Sequence, residues 1–190
     1  MATVYLVLAI ILAILVGIVF VAVSSYNRLT ALDERCATAF SDVDVQLKHR
    51  HNILPGLVET VRGGAAHELA VITEIAQARK AALQATGPEM RLQAEAQLGQ
   101  SINSLLHVAE SYPNIHASTD FRDLRRELID ADAKIAGARR FYNMACNELN
   151  ATLRQFPGVL IARFVSIRTR SRFDIGIDRV MIDEPMSFKL

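Results

Sequence analysis

The sequence predicts an all-α protein: a single N-terminal transmembrane helix followed by a long antiparallel bundle of three or four helices. Three observations predict it. Val4 to Val23 reads VYLVLAIILAILVGIVFVAV, with no charge in it. Phe121, Leu128, Ile135, Tyr142, Leu149 and Phe156 recur at seven-residue intervals. No stretch sustains the two-residue alternation that a half-buried strand requires.

The apolar run is the first element. A hydrocarbon core of about 30 Å takes about 20 residues at about 1.5 Å each. Tyr5 and Tyr26 bracket the run and suit the two interfaces. No Lys or Arg precedes Arg28, and the run exceeds the apolar stretch of a cleaved signal peptide, so an uncleaved anchor is expected. Arg28 and Arg35 follow it, and basic residues stay on the cytoplasmic side, which predicts a cytoplasmic bundle on a single-pass protein of the cell inner membrane. Within the run, Ala9, Ala13 and Gly17 recur every fourth residue. Small side chains at that spacing let helix backbones approach in lipid, so this face is the candidate for self-association or for packing on other membrane proteins.

The next element carries Phe40, Leu47, Leu54 and Val61, interleaved with Cys36, Val43 and Leu57, while Arg50 interrupts the second row. Pro55 does not change the phase, so a kinked or restarted helix is expected there, with Gly63-Gly64 as the next weak point. The turn between the first two bundle helices falls at one of these two places. A helix then runs from Glu68 to Ala85, Gly87-Pro88 breaks it, and Pro88 opens a helix that reaches Tyr112 before Pro113. Leu98, Ile102, Leu105 and Ala109 share one of its faces.

The last helix holds the heptad pattern. Leu124, Ala131, Ala138, Ala145 and Thr152 form its second row, and Arg126–Asp130 and Asp130–Lys134 are spaced to pair on the opposite face. Ser118 or Thr119 caps its start and Pro157-Gly158 ends it. The predicted organisation is an anchor over 1–25, a bundle over 26–162 and a basic tail over 163–190. In that tail Arg163, Arg168, Arg170 and Arg172 stand among Phe164, Val165, Ile167 and Phe173, a pattern suited to anionic lipid headgroups or a protein partner.

The order of several short stretches resembles one family. Tyr26-Asn27, Asp44-Val45-Gln46-Leu47-Lys48, Pro55-Gly56-Leu57-Val58-Glu59-Thr60-Val61 and His67-Glu68 come first. Ala138-Arg139-Arg140, Tyr142-Asn143, Phe156-Pro157 and Leu160-Ile161-Ala162 follow. Together they resemble the LemA family over about residues 1 to 175. The resemblance implies a bacterial protein with a short external N-terminus, one membrane helix and a cytoplasmic helical bundle. It carries over no catalytic or cofactor residue. The chain departs from the family pattern at Phe40, Gly64, Leu149-Asn150 and Val165-Ser166.

Chemistry-bearing motifs are sparse. Charge is balanced at 21 basic and 20 acidic residues and Trp is absent, which gives no footprint for nucleic acid. His49 and His51 point about 200° apart on a helix, so they do not share a metal. His67-Glu68 lacks the second histidine of a zinc-protease helix, because position 71 is Val71. No Glu-x-x-His pair, calcium loop, phosphate-binding glycine loop or Gly-x-Ser-x-Gly elbow occurs. Cys36 and Cys146 share no motif and read as small core residues. Glu59 reads as a polar contact of the bundle, with Arg50 and Arg62 both open as partners.

These readings predict no enzyme, no cofactor and no small-molecule substrate. A membrane-anchored scaffold that self-associates or binds other membrane proteins is the expected function. The alternative is a lipid-binding or membrane-remodelling factor acting through the basic tail.

Overall fold

A computed structural model describes residues 1–65 and 67–173. The part of the predicted tail from 174 onward lies outside the described residues. These contain no strand, and one long apolar helix leads a helical bundle. The elements are α1 (Ala2–Gly64), α2 (Leu69–Gln84), α3 (Pro88–Glu110), α4 (Pro113–Ala117), α5 (Thr119–Arg154) and α6 (Gly158–Ile161).

The anchor and the first bundle helix are one element. α1 runs 63 residues, about 95 Å, through Pro55. Pro55 sits on the exposed face while Leu54 and Leu57 beside it are buried, so packing holds the helix in phase on both sides of the lost hydrogen bond. The helix ends at Gly64 instead. A Cβ at Gly64 would collide with the Ile115 side chain, so the glycine permits the close approach of α4. The turn between the first two bundle helices therefore lies at the glycine pair, not at Pro55.

Two units make up the chain. In the first, α1 up to Leu57 pairs with α5. Arg35 bonds Glu148 at 3.1 Å, the Phe40 and Tyr142 rings lie 5.6 Å apart, and Arg50 bonds Asp132 at 3.1 Å. Partner numbers rise on α1 as they fall on α5, which makes the pair antiparallel. Leu29, Cys36, Ala39, Val43, Leu47, Leu54 and Leu57 fill one side of the seam. Phe121, Leu128, Ala131, Ile135, Ala145, Cys146 and Leu149 fill the other. On α1 the buried positions are spaced three, four or seven residues apart, and most of those on α5 are as well, the spacing of an interlocking helix seam.

The heptad reading of α5 needs two corrections. Phe156 lies beyond the helix end at Arg154 and is exposed, and Leu153 takes the last seat in the seam. Arg126 pairs with Asp123 at 3.4 Å rather than with Asp130, while Lys134 holds Asp130 at 2.7 Å. Exposed pairs at i,i+3 and i,i+4 differ by only a few tenths of a kcal/mol, so spacing alone does not choose between them.

The second unit begins with the last turns of α1 and holds α2, α3 and α4. Gly87 makes the hairpin turn between α2 and α3 at φ +85°, a region that side chains with a Cβ rarely enter, and Pro88 opens α3. Ile75, Leu98, Ile102, Leu105, Ala109 and Ile115 supply its core. The Tyr112 hydroxyl donates to Glu68 at 3.1 Å and the Ser101 hydroxyl to Glu74 at 2.8 Å. Pro113 does more than stop α3, since it starts the short α4. Glu59 resolves to Arg62, at 2.6 Å.

Candidate membrane and tail interface

From Met1 to Ser24 every residue of the chain is exposed, although this is its most apolar stretch. In water that surface would be strongly unfavourable, at about 25 cal/mol per Å². A bilayer removes the conflict, and α1 meets the length and hydropathy of a membrane span. Ala9 and Ala13 lie on this open surface. Gly17 does too, but it also forms part of a groove. Ile14, Gly17, Ile18, Val21 and Ala22 make one wall, and Phe156, Pro157, Leu160 and Ile161 make the other, around about 490 Å³.

The predicted tail divides by residue. Arg163 and Arg168 are exposed. Arg170 is committed within the first unit: its Nε donates to Asp33 at 2.7 Å, and this bond pushes the guanidinium pKa further up. Its backbone is held as well. The Arg170 N–H donates to Asn150 Oδ1 at 3.0 Å, and Asn150 Nδ2 donates back to the Arg170 carbonyl at 2.9 Å. One residue on, the Tyr142 hydroxyl donates to the Ser171 carbonyl at 3.0 Å. A side-chain amide that gives and takes one bond on a single residue fixes the register of the segment that passes it. Arg172 is exposed but engaged in further interactions.

Below this clamp the two cysteines meet. Cys36 and Cys146 lie 110 positions apart, yet both are buried and within hydrogen-bonding reach across the α1–α5 seam. Burial first, and then Cys146, pushes the Cys36 thiol from 9.0 up to about 11. Burial also raises the Tyr142 phenol. At neutral pH the Cys36 thiol and the Tyr142 phenol therefore stay protonated. The pH dependence has a definite sign. Below pH 9.0 the Cys36 thiol is protonated in both folded and unfolded chains and contributes no slope. Between 9.0 and about 11 the unfolded chain ionises while the folded chain does not, so stability falls as pH rises. Thermal melts of the full chain followed by circular dichroism are expected to show that fall, and Cys36→Ala is expected to reduce it most between pH 9.0 and 10.0, below the range where the raised Tyr142 phenol adds its own slope. Equal slopes for both chains would refute the assignment.

Sequence reasoning missed Asp33 and Asn150 as tail ligands, the meeting of the two cysteines, and Phe156 and Leu160 as surface groups. For Asn150 a signal existed, since it is a polar residue next to the seam residue Leu149. The others needed the register between helices. His49 faces Glu127 at 3.6 Å and His51 is buried. Among the described residues no cluster of three or more His, Cys, Asp or Glu is placed to hold a metal.

An exposed apolar span continuous with a helical bundle, on which the segment at Arg170-Ser171 is docked, defines a membrane-associated helical protein. The chain belongs to the LemA family, whose pattern residues 39–184 match. It is similar to the magnetosome protein MamQ of Magnetospirillum gryphiswaldense, at 21% identity over 87% of this chain and 70% of that protein. It is also similar to magnetosome proteins MamQ 1 and MamQ 2 of Paramagnetospirillum magneticum, each at 20% identity over 78% of this chain and 64% of theirs. The chain thus spans about two thirds of the length of these relatives.

Proposed function

We propose that this protein is a membrane-anchored scaffold of the cell inner membrane, with its bundle in the cytoplasm and its anchors associating through Ala9, Ala13 and Gly17. The observation that carries the reading is the continuity of α1. One helix passes from the exposed apolar span into the buried seam with α5, with no linker between. Such a helix fixes the orientation of the α1–α5 pair to that of the anchor, which suits assembly work and not a tethered, freely swinging domain. The two basic residues after the span support the orientation. Family membership and the likeness to MamQ support a membrane-associated role.

The anchor face is testable because it is vacant within one chain. A Cβ at Gly17 meets nothing within 4 Å. Ala13→Leu, outside the groove, and Gly17→Leu are therefore expected to leave the single chain folded and to shift gently extracted complexes to a lower mass. An unchanged native mass for both variants would remove the anchor face from the proposal.

A second reading, lipid binding through the basic tail, is favoured by the exposure of Arg163 and Arg168. Each charge near an anionic surface contributes about 1 kcal/mol. Arg170 contributes to the fold instead, through Asp33.

A further inference from the structure

The segment from Phe156 to Phe164 is at odds with a water-facing position. It follows the seam helix and is rich in large apolar residues, yet Phe156 is 78% exposed, Leu160 49% and Phe164 91%. The residues across the groove from it decide its surroundings. Ile14, Gly17, Ile18, Val21 and Ala22 belong to the membrane run. Ile14 to Ala22 covers about 12 Å of helix axis, in the half of the span nearest the bundle. A wall facing these residues lies at the same depth as they do.

We infer that the turn between α5 and α6 is a second membrane element: a wedge in the bundle-side leaflet, with lipid acyl chains in the groove between it and the anchor. It does not depend on the scaffold reading. Three further features fit hydrocarbon surroundings. First, backbone donors in lipid must be satisfied internally. Every amide from Val159 to Val165 has a backbone acceptor, among them Val159 to Gln155 at 2.8 Å, Ala162 to Gly158 at 2.8 Å and Phe164 to Ile161 at 2.9 Å. Second, the turn is folded tightly on the end of α5. A Cβ at the buried Gly158 would strike the Thr152 carbonyl oxygen, which is backbone and has no freedom to yield. Third, Arg154 precedes the apolar run from Phe156 to Ala162 and Arg163 follows it, and both are exposed, so their long side chains can reach the headgroups from its two edges. The occupant is lipid because the groove continues the lipid-facing surface of the anchor.

The chain contains no tryptophan, so a single introduced one reports without background. Full-length Phe156→Trp and Leu160→Trp would be reconstituted in phosphatidylcholine/phosphatidylglycerol vesicles with brominated acyl chains. Phe20→Trp serves as the lipid-exposed reference and Phe141→Trp as the bundle reference. The wedge predicts bromolipid quenching at both test positions of at least half that of Phe20→Trp, with weak quenching by aqueous acrylamide. Strong acrylamide quenching without bromolipid quenching would place the turn in water and overturn the inference. Quenching by neither agent would mean that protein, such as a second copy, covers it, and would overturn it equally. Val159→Trp reads the same surface if either variant fails to fold.

Discussion

Truncating Phe121 to alanine is expected to lower the stability of the α1–α5 pair by about 3–5 kcal/mol, the range for emptying a buried aromatic site. Phe121 is among the largest fully buried side chains, at 1% exposure, and opens the α5 side of the seam. The effect combines lost transfer energy with the cavity left between long helices, which close around a gap only by shifting along their whole length. Thermal unfolding of the full chain in detergent, followed by helical circular dichroism, measures it. Phe121→Leu, which retains most of the volume, is expected to recover more than half of the loss. A melting temperature for Phe121→Ala within a degree of the parent would show that this end of the seam is not packed as described.

Asn150→Leu is expected to release the tail without unfolding the helices. The substitution removes both bonds to Arg170 and leaves that residue's N–H and carbonyl without these protein partners, a loss of about 2–3 kcal/mol. Because the lost bonds hold only the segment at Arg170, the energy appears as local opening. Trypsin cutting at Arg168 and Arg170 is then expected to speed up by roughly 30- to 150-fold, since about 1.4 kcal/mol corresponds to a factor of ten. Helical circular dichroism is expected to be unchanged. Asp33→Asn should produce a smaller acceleration, because the Arg170–Asp33 pair is partly exposed and screened by solvent. Cleavage at the parent rate in Asn150→Leu would show that the amide clamp does not hold the tail.

The helical class, the anchor and most helix limits were legible in the sequence because they rest on local signals. Gly87-Pro88 and Pro113 mark real boundaries, and the seven-residue rows mark the buried seam. The reading of Pro55 was less decisive for a physical reason. Proline removes one hydrogen bond locally, but whether the helix survives depends on the packing of Leu54 and Leu57 against another element. Phe156 shows the reverse case. It keeps the heptad phase, yet the helix has ended before it, and a period carries meaning only while the helix lasts.

By itself the sequence determined an apolar span of bilayer length, an all-helical chain and the residues that line its seam, since hydrophobic periodicity and helix-breaking residues act over a few positions. Only the tertiary structure decided what long-range pairing sets. It joined anchor and bundle into one helix, gave Arg170 to Asp33 and Asn150, brought Cys36 to Cys146, and set Phe156 and Leu160 beside Ile14 to Ala22. The last three of these depend on the register of two segments more than a hundred positions apart, or on a chain reversal, and no local pattern encodes that register.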